Sequence, residues 1–460
     1  GRAFTKPWLV RMLCAPRVVL SLGIVLRLVT FIFLDPKNVD GHWLVVAFIA
    51  QQGRLPHSGE LGQAYHPPLY YCLAAPIYRW SGSFKAVQLL SLMLSILSLL
   101  VLYKLVCGSG LIRSSSAQLY CLLLVCFLPQ FVLYTLFVSN DTLTIFLGCC
   151  LAWCITEFCH SPNYKAIATL MLVGISGLLT KATFLAYLPV LFLLISFIMF
   201  KSGWTVMRSL ATAVVILTAL VATTSYKEID NYRQYRRPFI SNIDFHPDWA
   251  VRQELTYRGL SSYLDFNFLH LLSSPSYSPS TESAYPLMLY ATFWYQHVPE
   301  SNFVGSAHRP FTWIAFAIYI LALFPSIVFL TGTWSLLKRF SGWLRGFSPA
   351  NPVNRQDLAR YAILGMLAGN LGIMLSALAK YHVWSIMQGR LLFPSIFAIL
   401  IAFSVGTEEV EHIMAGAAAL KSCMFALCIL FVGYLLSEIG LQFVFRFMPE
   451  FKEYLRTIAV

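Results

Sequence analysis

Charged residues are scarce in this sequence. They make up 12% of 460 residues, whereas hydrophobic residues make up 58%. Soluble domains average about 25% charged residues, so this composition excludes a soluble globule. Acidic residues are the rarer kind, 20 against 33 Lys and Arg, which leaves a net charge of +13. No soluble basic domain presents that excess to nucleic acid. Much of it lies in short loops between apolar runs, as the positive-inside rule predicts.

Several motifs that carry function are also missing. The 11 cysteines lie nearly all inside apolar runs and include no Cys-x-x-Cys pair, which argues against a disulfide framework and a zinc site. The sequence has no Walker lysine motif and no Gly-rich dinucleotide turn, so no nucleotide site is indicated. No repeat of fixed period is apparent, although many membrane transporters are built from internal repeats.

Long apolar runs are what the sequence does have. Runs of about 18 or more residues recur, each long enough to cross about 30 Å of hydrocarbon. We therefore predict an all-α polytopic membrane protein with about eleven transmembrane helices. The first run lacks a following small-residue cleavage pattern, which favours a permanent anchor. The predicted spans are 15–34, 86–107, 116–136, 142–160, 165–180, 182–200, 206–226, 311–337, 359–379, 385–405 and 413–440.

The distribution of Lys and Arg sets the orientation. If the short, proline-opened segment 67–83 does not cross, the basic N-terminus shares one side with Lys104, Lys201 and the cluster at 338–360. The N-terminus is then cytoplasmic and the C-terminus external. This topology predicts an N-terminal module, 1–226, with a first external loop, 35–84, that contains juxtamembrane helices. An external cap, 227–310, and C-terminal transmembrane helices, 311–460, follow.

Five ionisable residues reach the external side in this topology. Asp40 and His66 lie in the first external loop, and Asp141 begins the fourth span. Lys181 joins the fifth and sixth spans, and Arg390 lies one to two turns inside the tenth. A charge at the membrane centre costs about 3 kcal/mol on insertion scales, so we expect these groups to face a polar cavity.

Two carboxylates and several cations suit a reaction at a lipid-linked phosphate. Lys181, Arg390 and His66 could hold the charge of a phosphate leaving group. Asp40 is best placed to take the proton of an acceptor hydroxyl. Because no nucleotide motif is present, a membrane lipid is a better donor than a sugar nucleotide.

The same segments resemble GT-C glycosyltransferases, most closely the protein mannosyltransferase and aminoarabinose transferase families and a related uncharacterised bacterial membrane branch. The resemblance covers residues 40–394 in the expected order. Its motifs are Asp40-Gly41-His42-Trp43, Gln52-Gly53-Arg54-Leu55-Pro56, Tyr65-His66-Pro67-Pro68-Leu69-Tyr70-Tyr71, Ser139-Asn140-Asp141-Thr142-Leu143, Leu179-Thr180-Lys181 and Gln388-Gly389-Arg390-Leu391-Leu392-Phe393-Pro394.

This resemblance implies an external active site that uses a polyprenyl-phosphate sugar and inverts the anomeric centre. Asp40 matches the loop acid taken as the base, and Lys181 and Arg390 match positions implicated in holding the phosphate. Two departures stand out. The family often has Asp-Glu where this chain has Asp40-Gly41, and often has Lys where this chain has His66.

The predicted site therefore has catalytic and substrate-binding members. Asp40 and Asp141 are the predicted catalytic residues. Some of the predicted site residues also have a structural alternative. Asp40 could cap a helix, Lys181 could snorkel to the interface, and Tyr65 could belong to an interfacial aromatic belt. A metal held by Asp40, Asp141 and His66 has no support from spacing. The predicted substrate-binding residues are His66, Lys181, Arg390, Tyr65, Gln388 and Arg27.

The sequence thus predicts a membrane glycosyltransferase that acts on an external acceptor hydroxyl or phosphate of a glycan, lipid or protein. One alternative is a lipid or polysaccharide transporter or flippase. Another is a glycan ligase with a diphosphate-linked donor, for which Arg236, Arg237 and Arg27 are extra cations. The segment Tyr285–His297, with Trp294 and His297, could cover the site. A bacterial inner (plasma) membrane is favoured, with the endoplasmic reticulum as the alternative.

Overall fold

A computed structural model describes residues 15–37, 40–245, 259–273, 284–295, 309–346, 353–381 and 383–447. Within these ranges the chain is helical and contains no β-strand. The predicted all-α class is therefore confirmed for the described part of the chain.

The helices of the described ranges follow one another in chain order. Four 3-10 helices occupy Ala182–Tyr187, Asn242–Asp244, Trp384–Met387 and Gly389–Ser395. The α-helices are α1 (Pro16–Phe33), α2 (His42–Gln52), α3 (Leu69–Ser81), α4 (Phe84–Gly108), α5 (Ser115–Phe127), α6 (Pro129–Tyr134), α7 (Asn140–His160), α8 (Tyr164–Leu178), α9 (Leu188–Lys201), α10 (Val206–Thr224), α11 (Tyr226–Tyr235), α12 (Leu260–Leu264), α13 (Leu269–Ser273), α14 (Tyr285–Trp294), α15 (Arg309–Arg345), α16 (Arg355–Tyr381), α17 (Ile396–Glu411) and α18 (Met414–Phe447).

Nine helical segments of the described ranges are long and apolar enough to cross a membrane. Each coincides with one of the predicted spans, so the protein is an integral membrane protein with multiple spans. The other two predicted spans, 116–136 and 165–180, correspond to shorter apolar helices, α5 and α8. The predicted count of eleven is therefore not confirmed. The nine segments are Pro16–Phe33, Phe84–Gly108, Asn140–His160, Ala182–Lys201, Val206–Thr224, Trp313–Arg345, Arg355–Tyr381, Gly389–Glu411 and Gly416–Leu441.

The predicted span 116–136 is broken at a proline. Helix α5 ends at Phe127 and α6 begins at Pro129, which has no N–H to donate to the preceding turn. Arg27 of α1 lies beside this break and is 0% exposed. Its guanidinium donates to the carbonyls of Val125 and Cys126, both at 2.9 Å. A cation at a helix C-terminus is favourable, so Arg27 stabilises the end of α5.

The loops gather at two opposite ends of the helix bundle. At one end, the N–H of Val138 donates to the carbonyl of Pro36 at 3.0 Å. At the other end, Arg360 donates to the carbonyl of Leu111 at 2.7 Å, and Arg113 donates to Gln356 at 2.9 Å. Arg113, in the loop before α5, and Arg360, in the second turn of α16, therefore lie at the same end, away from Asp40 and Asp141.

Close backbone contact brings the segment before α17 against α7. A Cβ placed on Gly148 of α7 would overlap the backbone of Pro394, so a larger residue would force the two segments apart. This approach matters because the same two segments carry Asp141 and Arg390. In the described part of residues 227–310, the chain forms the α-helices α11 to α14.

Candidate active site

Four charged side chains from four distant segments meet at one end of the bundle. Arg390 forms a two-pronged ion pair with Asp40, with Nη1 2.5 Å from Oδ2 and Nη2 3.2 Å from Oδ1. Arg390 Nη1 also lies 4.0 Å from Asp141 Oδ2, and Asp141 pairs in turn with Lys181. The four groups therefore form one chain of alternating charge.

Local structure places each of these residues at the end of an element. Asp40 lies just before α2, whose N-cap is Gly41 with φ +76° and without a side-chain cap. The alternative role of Asp40 as a helix cap is thus not what the structure shows. Asp141 lies in the first turn of α7, where the Ser139 hydroxyl accepts from its backbone N–H at 3.2 Å. Lys181 precedes the 3-10 helix Ala182–Tyr187.

Arg390 is the second residue of the 3-10 helix Gly389–Ser395. The sequence placed it one to two turns inside a membrane helix, but the regular helix α17 begins only at Ile396. Its guanidinium carbon lies 4.4 Å from the ring centroid of Tyr134, at the end of α6. Stacking on an aromatic face and a carboxylate fork together fix the orientation of the guanidinium.

The charged chain lines a cavity of about 1140 Å³. Seven of the eight residues predicted from sequence line it, and they are Asp40, Tyr65, His66, Asp141, Lys181, Gln388 and Arg390. Apolar side chains of α16 and of the neighbouring 3-10 helices line it too, among them Leu185, Ile373, Met374, Ala377 and Leu391. One cavity therefore presents both charged groups and apolar surface.

Aromatic and imidazole rings form the wall contributed by the first loop. The rings of His42 and His66 stack with centroids 5.5 Å apart, and Tyr65 lies 4.0 Å from His66. His42 Nδ1 lies 2.7 Å from the Tyr71 hydroxyl, which lies 3.4 Å from the carbonyl oxygen of Gln63. This chain of contacts orients the imidazole of His42 at the cavity.

Burial and charge set the ionisation of this wall. Burial lowers the pKa of His42 to about 4, against the opposite effect of the Asp40 carboxylate. Burial, followed by the nearby charge of Lys181, lowers the pKa of His66 well below its ordinary value. Burial raises the pKa of Asp40, but the charge and hydrogen bonds of Arg390 outweigh it, so the pKa lies below its ordinary value. At neutral pH both imidazoles are neutral and Asp40 is ionised.

Four other residues named from the sequence lie apart from the charged chain. Arg27 does not line the cavity, because its guanidinium is held among backbone carbonyls at the end of α5. Arg236 and Arg237 do not line it either. Trp294 is buried and donates to the Ser326 hydroxyl at 3.0 Å, away from the cavity. His297, which the sequence analysis named together with Trp294, lies outside the described residues.

Sequence reasoning overlooked several polar residues of the cavity. His42, Lys227 and Lys380 all line it. The position of His42, two residues after Asp40, was a usable signal. Lys227 and Lys380 each follow a predicted span directly, and the predicted topology assigns both to the same side as Asp40. What the sequence could not indicate is that segments so far apart in the chain share one cavity.

No metal centre is apparent in the described ranges, where no group of three or more His, Cys, Asp or Glu residues could hold an ion. The charged chain itself offers two cations and two carboxylates. Lys181 and Arg390 together can bind a phosphate, and an ionised carboxylate beside them can accept a proton.

No protein-family model and no curated protein matches the sequence. Solved structures do show similarity. ArnT from Cupriavidus metallidurans bound to undecaprenyl phosphate has a TM-score of 0.38 and 15% identity, covering 87% of this chain and 79% of that chain. The Archaeoglobus fulgidus oligosaccharyltransferase in complex with Zn and sulfate has a TM-score of 0.46 and 10% identity, covering 90% of this chain and 53% of that chain.

Another solved structure, Archaeoglobus fulgidus AglB with an inhibitory peptide and a dolichol-phosphate, has a TM-score of 0.35 and 10% identity. The similarity covers 92% of this chain and 55% of the AglB chain. ArnT and the archaeal oligosaccharyltransferase are GT-C glycosyltransferases, the group that the sequence motifs resemble. At these TM-scores, what this chain does is inferred from its own residues.

Proposed function

We propose that this protein is an inverting membrane glycosyltransferase that moves a sugar from a polyprenyl-phosphate carrier to an acceptor on the external face of the membrane. The observation that carries the proposal is the chain of charges Asp40, Arg390, Asp141 and Lys181 in one cavity. Motif resemblance over residues 40–394 supports the same function.

The phosphate of the carrier would bind at the cations. Lys181 and Arg390 lie on either side of Asp141, so a phosphate that enters between them replaces carboxylate contacts with its own. The apolar side chains of the cavity, such as Ile373 and Met374, would contact the lipid. Both cations are then in place to stabilise the charge of the departing polyprenyl phosphate.

Asp40 would act as the base. In the structure Arg390 occupies both carboxylate oxygens and lowers the pKa of Asp40. When a phosphate draws the guanidinium away, that effect weakens and the carboxylate becomes more basic. The acceptor O–H then gives its proton to Asp40 while its oxygen bonds to the anomeric carbon. The bond from that carbon to the phosphate oxygen breaks on the opposite face, which inverts the centre.

Replacing Asp40 with Asn tests this assignment. We expect Asp40→Asn to lower sugar transfer by about 100-fold to 10,000-fold, the usual contribution of a general base. The measurement is the transfer of radiolabelled sugar from polyprenyl-phosphate sugar to the acceptor. It is made in membranes that contain either the wild-type protein or the Asp40→Asn protein. Asp35→Asn is the matched control, because Asp35 is exposed on the same loop and does not line the cavity.

A second readout separates catalysis from binding. Asp40→Asn should still bind polyprenyl phosphate, since Lys181 and Arg390 are retained. Transfer at the wild-type rate by a folded Asp40→Asn protein would refute the assignment of the base. Failure of the wild-type protein to bind polyprenyl phosphate would refute the proposed function itself.

A further inference from the structure

A buried lysine outside the charged chain also lines the cavity. Lys227, the second residue of α11, is 5% exposed. Its ammonium group donates to the carbonyl of Pro56 at 3.1 Å. An ammonium carries three donors, so this bond uses one of them. Within the described ranges no carboxylate lies within ion-pair distance of Lys227, although a buried charge is costly without a counter-charge.

Nearby carboxylates are committed elsewhere. Asp230 pairs with His57, and Glu60 pairs with Arg54 at 2.7 Å. They act on Lys227 only at longer range. Glu228 lines the same cavity, and burial raises the pKa of its carboxyl group, which disfavours the charged form. Burial lowers the pKa of Lys227 as well, against the charges of Asp230, Glu60 and Glu228, and an anion bound at its ammonium would favour the charged form.

The position of His66 places Lys227 close to the phosphate-binding cations. His66 and Lys227 both line the cavity that contains Lys181, and they also line a small adjoining pocket together with Pro56. In the charged chain, Lys181 pairs with Asp141 and Arg390 pairs with Asp40. On the adjoining wall, Lys227 has no carboxylate within ion-pair distance among the described residues. A cavity of about 1140 Å³ has room for more than one phosphate.

We infer that Lys227 and His66 form a second phosphate-binding subsite, next to the one made by Lys181 and Arg390. The inference rests on the proposed function and adds to it a class of substrate: the reacting pair carries two phosphate groups. The second phosphate belongs either to a diphosphate carrier or to a phosphorylated acceptor. Both sources present the same anionic oxygens to an ammonium and an imidazole N–H.

Binding measurements on the full-length protein in detergent test the subsite. Native mass spectrometry gives the Kd for polyprenyl monophosphate, for polyprenyl diphosphate and, with the monophosphate saturating, for glucose 1-phosphate. If the donor supplies the second phosphate, the wild-type protein binds the diphosphate about ten-fold or more tightly than the monophosphate. If the acceptor supplies it, the two carriers bind equally and glucose 1-phosphate binds to the loaded protein. In the first case Lys227→Gln abolishes the preference for the diphosphate, and in the second it abolishes the binding of glucose 1-phosphate.

The variants separate charge from packing. Lys227→Gln keeps a donor for the carbonyl of Pro56, so the loop contact survives while the charge is lost. Lys227→Arg should retain binding of the second phosphate. Lys165→Gln, at an exposed position on α8, should leave every Kd unchanged.

Two results would overturn the inference. The first is a wild-type protein that binds the monophosphate but shows neither a diphosphate preference nor binding of glucose 1-phosphate, a comparison that needs no variant to fold. The second is a folded Lys227→Gln protein that retains the wild-type preference. A wild-type protein that binds no monophosphate overturns the proposed function, and this inference with it.

Discussion

At the scale of single residues, the site depends on which charges are paired and which rings stay neutral. Arg390 is held by Asp40 on one side and by the face of Tyr134 on the other. His42 is held by the Tyr71 hydroxyl at 2.7 Å. These contacts keep a cation, a carboxylate and an imidazole oriented before any substrate binds, which is the condition for electrostatic catalysis.

His42 should make stability depend on pH. Its pKa in the folded protein is about 4, below the ordinary 6.5, because the ring is buried. The unfolded chain therefore takes up a proton at a higher pH than the folded protein does. This contribution to stability is complete above pH 6.5 and is lost as the pH falls toward 4.

We expect the thermal midpoint of the wild-type protein to fall between pH of about 7 and about 5 more steeply than that of His42→Gln. Differential scanning fluorimetry in detergent measures both curves. His66 is present in both proteins, so the difference between the curves reports the His42 imidazole together with its effect on the pKa of His66. Parallel curves for the two proteins would show that His42 is not kept neutral by the fold.

At the scale of elements, the site is built from helix ends and interrupted helices. Helix α6 begins after the break at Pro129 and ends at Tyr134, whose ring lies against the guanidinium of Arg390. The 3-10 helix Gly389–Ser395 carries Arg390 itself. Interrupted helices leave backbone carbonyls without partners inside the membrane, and such groups must be satisfied within the protein. Arg27 supplies donors for two of these carbonyls.

Arg27→Leu should destabilise the protein through this break. Removing the guanidinium leaves the carbonyls of Val125 and Cys126 buried without those donors, at a cost of about 1–3 kcal/mol each. We expect a lower thermal midpoint, measured by differential scanning fluorimetry. Arg17→Leu is the matched control, since Arg17 is an exposed residue near the start of the same helix. Equal midpoints for the two variants would contradict the capping role of Arg27.

At the scale of the whole molecule, charged side chains gather at both ends of the bundle. The cavity end contains Asp40, Asp141 and Lys181. The other end contains Arg113, which donates to Gln356, and Arg339, which pairs with Glu409 at 3.1 Å. Asp141 lies in the first turn of α7, and α8 ends shortly before Lys181. Their ion pair therefore shows that α8 returns to the end where α7 began.

This arrangement makes a prediction about sidedness. Gly62→Cys lies in the first loop at the cavity, and Gly203→Cys lies between α9 and α10 at the other end. In a background without accessible native cysteines, an impermeant maleimide added outside intact cells should label position 62 and not position 203. Cell lysis should expose position 203. Labelling of both positions from the same side would contradict the predicted topology.

The sequence by itself determined the membrane class, the placement of the nine long helices and most of the charged site. Apolar runs are local signals, and motifs fix which residues bear charge. It could not determine that Arg27 is a structural cap or that Lys227 lines the cavity, because both depend on which segments pack together. Tertiary packing decided these points: a buried guanidinium or ammonium takes its role from the atoms around it, and those atoms come from distant parts of the chain.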